Sequence, residues 1–153
     1  MSPALYAPRA MHPSWETPAH IFAALDREFD FTLDAAASAE NAKCEHYFDE
    51  QTDGLAQDWG NYRVGVNPPY GDANLRAWVK KAHEASQLGA IVVAFVPVNA
   101  SSRWWNDYAP LASEIRWVRG RVRFVGAKAT APFASCFLIF RPPTVPLRAR
   151  GAA

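Results

Sequence analysis

The tetrapeptide Asn67-Pro68-Pro69-Tyr70 offers the most distinctive chemistry of this chain. Two consecutive prolines force a stiff, extended loop, because proline lacks an amide hydrogen and disfavours the helical region for the residue before it. If the Asn67 side-chain oxygen and the Pro68 carbonyl each accepted one N–H of a conjugated amino group, its lone pair would be localised and could attack an electrophile. Tyr70 could stack on the ring that carries the amino group. The alternative is a proline-rich surface turn, with Asn67 as a cap and Tyr70 as packing.

The elements around this loop predict a parallel strand-helix-strand unit. Residues 63–66 form a short apolar run that indicates a buried strand. The loop follows the carboxyl end of that strand, which is where ligands bind in open α/β sheets. Residues from about 73 to 88 carry an apolar stripe at helical spacing, and Gly89 supplies the stop. Residues 91–96 are continuously apolar, as in a central strand covered on both faces.

Signals before this unit predict one more helix and one more strand. Thr17 and Pro18 are typical of the N-cap and the first residue of a helix. Its buried stripe comprises Ile21, Phe22, Leu25 and Phe29. A short strand is predicted at residues 31–34, and the small residues 35–38 indicate a tight exit from it.

Signals after the unit predict a short helix and an antiparallel finish. Ser102 is a suitable cap for the helix, residues 115–124 alternate basic and apolar side chains, and residues 136–140 indicate a final strand. Three tryptophans are expected in the core: Trp59, Trp78 and Trp117. The predicted fold is therefore α/β, a Rossmann-like sheet of reduced size that is mostly parallel and ends antiparallel.

Length and composition indicate one soluble, globular domain. The chain has 153 residues, of which 50% are hydrophobic and 20% charged. We expect a mobile arm at residues 1–14, a domain at residues 15–142 and a flexible tail at residues 143–153. No signal peptide or membrane span is indicated, which predicts a cytoplasmic protein. Cys44 and Cys136 lack the paired spacing of a zinc site and are expected to be free thiols.

The net charge of +1 hides a division along the chain. Residues 1–102 carry seven basic and thirteen acidic side chains, a net charge of −6, whereas residues 103–153 carry nine basic and two acidic, a net charge of +7. This asymmetry suggests that the carboxyl-terminal third faces a polyanion such as nucleic acid. Alternatively, the positive charges protect edge strands from aggregation.

Several segments resemble, in order and spacing, the Dam-like phage DNA N6-adenine methyltransferases. The resemblance runs from Trp15 to Phe140. It rests on residues 15–18, 31–38, 53–55, 58–59, 67–71, 120–124 and 131–135. It implies the methyltransferase form of the α/β fold and S-adenosylmethionine as the cofactor.

The resemblance implies that the cofactor is held by segments early in the chain. Thr17 and Pro18, with Trp15 beside them, would line its methionine end. Asp34 would lie in the first strand-to-helix turn, where a carboxylate can bind an ammonium group or ribose hydroxyls. Small side chains after it would let the backbone approach the cofactor, namely Ala35, Ala36 and Ser38. Asp34 could instead cap a helix.

Asp53 is implied as the next cofactor residue. Its carboxylate could accept a hydrogen bond from the amino group of the cofactor's adenine. Asp58 is the rival candidate, and either acid could be an ordinary exposed side chain. No metal ion is expected, because methyl transfer from a sulfonium does not need one and the four histidines show no ligand spacing.

The resemblance implies that the Asn67-Pro68-Pro69-Tyr70 loop is catalytic and that DNA presents a flipped adenine to it. The residues expected to bind DNA or the base are Arg103, Trp104, Arg119, Arg121, Arg123 and Ser135. Trp104 could instead pack in the protein. The same loop could hold a cytosine amino group or a protein glutamine amide. A third possibility is a DNA-binding module that keeps the fold without turnover, since the chain is too short for a separate recognition domain.

Overall fold

The computed structural model describes residues 16–144 as a five-stranded sheet flanked by three α-helices. The strands lie in the order β1-β2-β3-β5-β4. The predicted arm, Trp15 and residues 145–153 of the predicted tail fall outside the described residues. The elements in chain order are α1 Ala19–Phe29, β1 Leu33–Asp34, β2 Arg63–Val66, α2 Asp72–Gln87, β3 Ile91–Pro97, α3 Arg103–Tyr108, β4 Glu114–Trp117 and β5 Ser135–Phe140.

The first three strands are parallel, as predicted for the strand-helix-strand unit. Val64 of β2 lies between Leu33 of β1 and Val92 of β3. Helix α2 connects β2 to β3, and its return turn includes Gly89 at a φ of +118°, a conformation that side chains rarely tolerate. The carboxyl ends of β1, β2 and β3 therefore share one edge of the sheet.

The last two strands are antiparallel, which confirms the predicted finish. Pro97 of β3 pairs with Ser135 of β5, and Trp117 of β4 pairs with Cys136. The start of β5 and the end of β4 thus lie at the same edge as the carboxyl ends of β1 to β3. We call this side of the sheet the carboxyl edge.

Helices cover both faces of the sheet. His83 of α2 contacts Phe140 of β5, and Trp105 of α3 contacts Trp117 of β4. Because side chains alternate along a strand, the neighbouring Arg116 points to the opposite face, where it forms an ion pair with Glu28 of α1. Strand β3 is buried from Val92 onward, as expected of a central strand covered on both sides. No helix within residues 16–144 is long and apolar enough to cross a membrane.

Two predictions about helices were wrong. Helix α1 is not capped by Thr17: its N-cap is Pro18, and no side chain caps it. The hydroxyl of Thr17 instead contacts the loop after β2. No α-helix follows Asp34 before β2 either, because residues 35–62 fold into turns and bends, an isolated bridge from Tyr47 to Asp34 and one 3₁₀ turn, Gly54–Ala56.

Two predictions about the carboxyl-terminal region were also wrong. The alternating pattern of residues 115–124 forms a strand only as far as Trp117, and the chain then leaves the sheet. Trp117 is 63% exposed rather than buried, because β4 is an edge strand and this residue is its last. Trp59 and Trp78 are buried as predicted, and Cys44 and Cys136 are free thiols.

Candidate active site

A cavity of about 780 Å³ opens at the carboxyl edge between the ends of β1 and β2. Four chain segments separated in sequence meet in its wall: the residues before α1, the turn after β1, the 3₁₀ region and the diproline loop. Most of the predicted catalytic and cofactor-binding residues line it, namely Thr17, Asp34, Ala35, Ala36, Ser38, Asp53, Asn67, Pro68 and Pro69. A volume of this size suits a cofactor or substrate of drug-like size.

Asp34 is the buried carboxylate of the cavity wall. Its oxygens accept backbone N–H groups from Lys43, at 3.0 Å, and from Ala36, at 3.4 Å. Burial nevertheless raises the pKa of Asp34 to about 6, because desolvation of the charge outweighs these two hydrogen bonds. The side chain organises its own turn and also faces the cavity. A cation bound there would offset the cost of its buried charge.

Asp53 and Gly54, at the start of the 3₁₀ turn, also line the cavity. Asp53 is exposed, adopts a left-handed conformation with a φ of 53°, and accepts the Leu55 N–H through its carboxylate at 3.2 Å. A Cβ atom on Gly54 would lie 2.2 Å from the carbonyl oxygen of Ala35. Only glycine lets these two segments approach so closely. The rival acid Asp58 does not line the cavity, and its carboxylate accepts the N–H of Gly60 at 2.7 Å.

The diproline loop leaves β2 and is held at both ends. The side-chain nitrogen of Asn67 donates to the hydroxyl oxygen of Thr17 at 3.1 Å. At the other end, Asn74 of α2 donates to the backbone carbonyl of Tyr70 at 3.1 Å. Asn67 is half-buried and Pro68 is buried, so the loop presents a defined surface to the cavity.

Tyr70 does not reach the cavity. Its side chain is 1% exposed, and its ring meets those of Phe124 and Phe133 edge-on. Burial raises the pKa of its hydroxyl far above the usual value. A base could stack on this ring only if the residues that cover it moved, so the predicted stacking role stays a prediction.

The covering residues belong to a segment that we call the basic arch, residues 118–134. Its cationic side chains are exposed, namely Arg119, Arg121, Arg123 and Lys128, and it contains no acidic residue. Four of its apolar side chains are buried, namely Val122, Phe124, Ala131 and Phe133. The arch therefore presents a positive outer surface while its inner surface packs over the carboxyl edge.

The other predicted DNA-binding residues lie apart from the cavity. Trp104 is 1% exposed and packs edge-on against Trp105, so the structure places it in the core rather than in a pocket wall. Arg103 is exposed at the start of α3. Ser135 is buried at the start of β5.

Sequence reasoning missed the ion pair of Glu16 and Lys43. Both side chains line the cavity, and the Lys43 ammonium lies 3.0 Å from a Glu16 carboxylate oxygen. The backbone carbonyl of Glu16 also accepts the N–H of Val125 in the basic arch at 3.1 Å. No sequence signal marks this pair, because the two residues are isolated charges 27 positions apart.

No group of three or more His, Cys, Asp or Glu side chains is placed to hold a metal ion in the part of the chain that the structure describes.

The fold and site define an α/β protein with a ligand cavity beside an Asn-Pro-Pro-Tyr loop. The chain belongs to the family of DNA N-6-adenine-methyltransferase (Dam), whose sequence model matches residues 6–145. It is 34% identical over 113 residues to the DNA N-6-adenine-methyltransferase of Escherichia phage T1, an alignment that covers 72% of this chain and 47% of that protein. It is 35% identical over 63 residues to the putative methyltransferase YfdM of Escherichia coli K12, covering 37% of this chain and 69% of that protein. The chain thus spans about half the length of the phage T1 relative.

Proposed function

We propose that this protein transfers the methyl group of S-adenosylmethionine to the N6 amino group of adenine in DNA. The observation that carries the proposal is one continuous cavity, which joins the buried carboxylate of Asp34 to the diproline loop. Membership of the Dam family supports the same reaction.

The cavity residues fit the cofactor in size and in chemistry. Asp34 would hold the ammonium group of the methionine end, because a cation offsets the cost of a carboxylate that is 8% exposed. Asp53, which also lines the cavity, would accept a hydrogen bond from the adenosine part. When bound, the sulfonium supplies an electrophilic methyl group.

The diproline loop would prepare the acceptor nitrogen. The amino group of adenine is a poor nucleophile, because its lone pair is conjugated with the ring. The side-chain oxygen of Asn67 and the carbonyl of Pro68 would each accept one of its N–H groups and localise the lone pair. The prolines and the hydrogen bond from Asn74 to Tyr70 keep the loop in place, so little reorganisation is needed at the moment of transfer. The two oxygens would thereby hold the nitrogen for direct, in-line attack on the methyl group. The C–N bond would form as the C–S bond breaks, S-adenosylhomocysteine would leave, and the methylated nitrogen would release one proton to water.

DNA would lie against the basic arch. Its exposed cations would contact phosphates, and the absence of acids within residues 118–134 removes local repulsion. The amino group of a stacked and paired adenine cannot enter a cavity in the protein, so the target base would have to leave the duplex. The arginines of the arch do not line the cavity and are exposed, so they would be free to contact phosphates outside it.

The test is incubation with cofactor that carries a labelled methyl group and with unmethylated DNA, followed by digestion and nucleoside analysis. We expect the label in N6-methyladenine. Label in cytosine, or in a glutamine of an added protein substrate, would replace the assigned acceptor. DNA binding without any transfer would overturn the enzymatic proposal in favour of a binding module.

A further inference from the structure

Thr17 contacts the side chain that the proposed reaction depends on most. Its hydroxyl oxygen accepts a hydrogen bond from the Asn67 side-chain nitrogen at 3.1 Å, although the two residues are 50 positions apart in sequence. We propose that Thr17 is a positioning residue that sets which end of the Asn67 amide faces the acceptor amino group. This inference rests on the proposed function and concerns the same site.

The orientation of the amide matters because its two ends have the same shape but opposite hydrogen-bonding character. The oxygen accepts, whereas the nitrogen only donates. An amino group that met the nitrogen end would face donor against donor, and its lone pair would stay conjugated with the ring. A hydroxyl can donate as well as accept, and here the Thr17 hydroxyl accepts the amide N–H, which places the nitrogen end of Asn67 at Thr17.

Thr17 is itself held in place from both sides. On one side, the carbonyl of Pro18 accepts the N–H groups of Ile21 and Phe22 at 3.1 and 3.2 Å, which fixes the segment to the first turn of α1. On the other side, Glu16 forms the ion pair with Lys43 at 3.0 Å. The hydroxyl therefore has a defined position relative to the diproline loop.

A positioning role makes a different kinetic prediction from a role in cofactor binding alone. Thr17 lines the cavity, so its loss could weaken cofactor affinity. If it acts through Asn67, however, the rate of the methyl-transfer step should fall even when cofactor and DNA are saturating. The measured quantities that separate these roles are the single-turnover rate and the cofactor dissociation constant.

The experiment compares Thr17→Val, which keeps the shape and removes the acceptor, with Thr17→Ser, which keeps the acceptor. Thr32→Val is the matched control, because the Thr32 hydroxyl also accepts one N–H, from Arg63 at 3.0 Å, but lies away from the cavity. We expect Thr17→Val to lower the single-turnover rate about tenfold, the approximate value of one net hydrogen bond. Thr17→Ser and Thr32→Val should stay within about threefold of wild type. An unchanged rate in Thr17→Val, or a loss that saturating cofactor restores, would overturn the proposal.

A second readout does not depend on activity. The side-chain amide of Asn67 gives a pair of proton–nitrogen NMR signals, which Asn67→Asp would identify by their absence. We expect these signals to shift in Thr17→Val and to stay close to wild type in Thr17→Ser and Thr32→Val. Unshifted signals in Thr17→Val would contradict the contact. If the wild type transferred no methyl group to DNA, the proposed function would fail, while these spectra would still decide whether Thr17 orients Asn67.

Discussion

The two halves of the carboxyl edge have opposite chemistry. The half formed by the ends of β1 and β2 surrounds a cavity with the acids Asp34 and Asp53 in its wall. The half formed by the basic arch exposes cations and buries aromatic rings over Tyr70. The diproline loop lies at the boundary, with Asn67 facing the acidic half and Tyr70 under the basic half. This division suggests that a cationic cofactor and a polyanionic substrate approach the loop from different sides.

The largest effect should come from Asn67 at the boundary. Asn67→Ala should lower the methyl-transfer rate about a hundredfold to a thousandfold, as loss of one preorganised hydrogen-bonding group does in other enzymes. Affinity for S-adenosylhomocysteine and for DNA should change by less than about threefold, because Asn67 is one of many residues that line the cavity and is not part of the basic arch. Single-turnover kinetics and titration calorimetry measure the two quantities. Asn61→Ala, an exposed asparagine just before β2, is the control, and equal rates in the two variants would contradict the catalytic role.

Charge reversal in the basic arch should weaken the binding of DNA but not the binding of the cofactor. The double variant Arg119→Glu with Arg121→Glu should weaken DNA binding about thirtyfold. The slope of log K, the logarithm of the DNA association constant, against log salt concentration should become less steep by about two, one for each lost phosphate contact. Cofactor affinity should not change. Fluorescence anisotropy at several salt concentrations measures the effect. Arg27→Glu, an exposed charge in the last turn of α1, is the control. A comparable loss in that control would show that only overall charge matters.

Asp34 should make stability depend on pH in an unusual direction. Its pKa is about 6 in the folded protein and 3.8 in the unfolded chain, so the folded state holds its proton more tightly. Its contribution to stability is therefore full below about pH 4 and is lost as the pH rises through 6. Relative to Asp34→Asn, the wild type should lose about 2 kcal/mol of unfolding free energy between pH 4 and pH 7.

Urea unfolding of both proteins across this pH range measures the difference. It should be small near pH 4, grow up to pH 6 and then stay constant. Parallel stability curves for wild type and Asp34→Asn would show that the carboxylate is not desolvated. The same variant should bind S-adenosylhomocysteine more weakly. Asp34 would then strengthen ligand binding while lowering the free energy of unfolding at neutral pH.

The smallest effect should come from Trp117, at the outer edge of the basic half. Trp117→Phe should change the unfolding free energy by less than about 0.5 kcal/mol, because the side chain is 63% exposed. Trp59→Phe should cost about 1 to 3 kcal/mol, since the buried indole donates to the Gly54 carbonyl at 2.8 Å. Chemical denaturation of the two variants measures the contrast. Similar losses would mean that the end of β4 is packed against something in solution.

Local signals predicted the centre of the fold well. Three elements could be recognised because the pattern of apolar side chains along a short segment follows from which of them are buried. They are the apolar run of β2, the helical spacing of α2 and the continuous apolar stretch of β3. The boundary of α1 was harder, because Thr17 is a good capping residue whose hydroxyl is used in a tertiary contact. The prediction that Trp117 is buried was wrong for a similar reason. A large apolar residue predicts burial, but the arrangement of the whole sheet decides whether that residue lies at the end of an edge strand.

The individual segments of the site were predictable from the sequence, but the contacts that bring them together were not. The diproline loop and the Asp34 turn are recognisable because their residue types restrict the backbone. The pairing of Glu16 with Lys43 and the covering of Tyr70 by Phe124 and Phe133 depend on segments far apart in sequence. No local pattern encodes such contacts.

The most direct test of this account is a crystal structure of the complex with S-adenosylhomocysteine. We expect the ligand in the cavity, with its amino-acid end at Asp34 and its sulfur facing the diproline loop beside Asn67. A ligand bound elsewhere on the protein, or a cavity filled by the protein's own side chains in that crystal, would contradict the central claim that one cavity joins cofactor and acceptor.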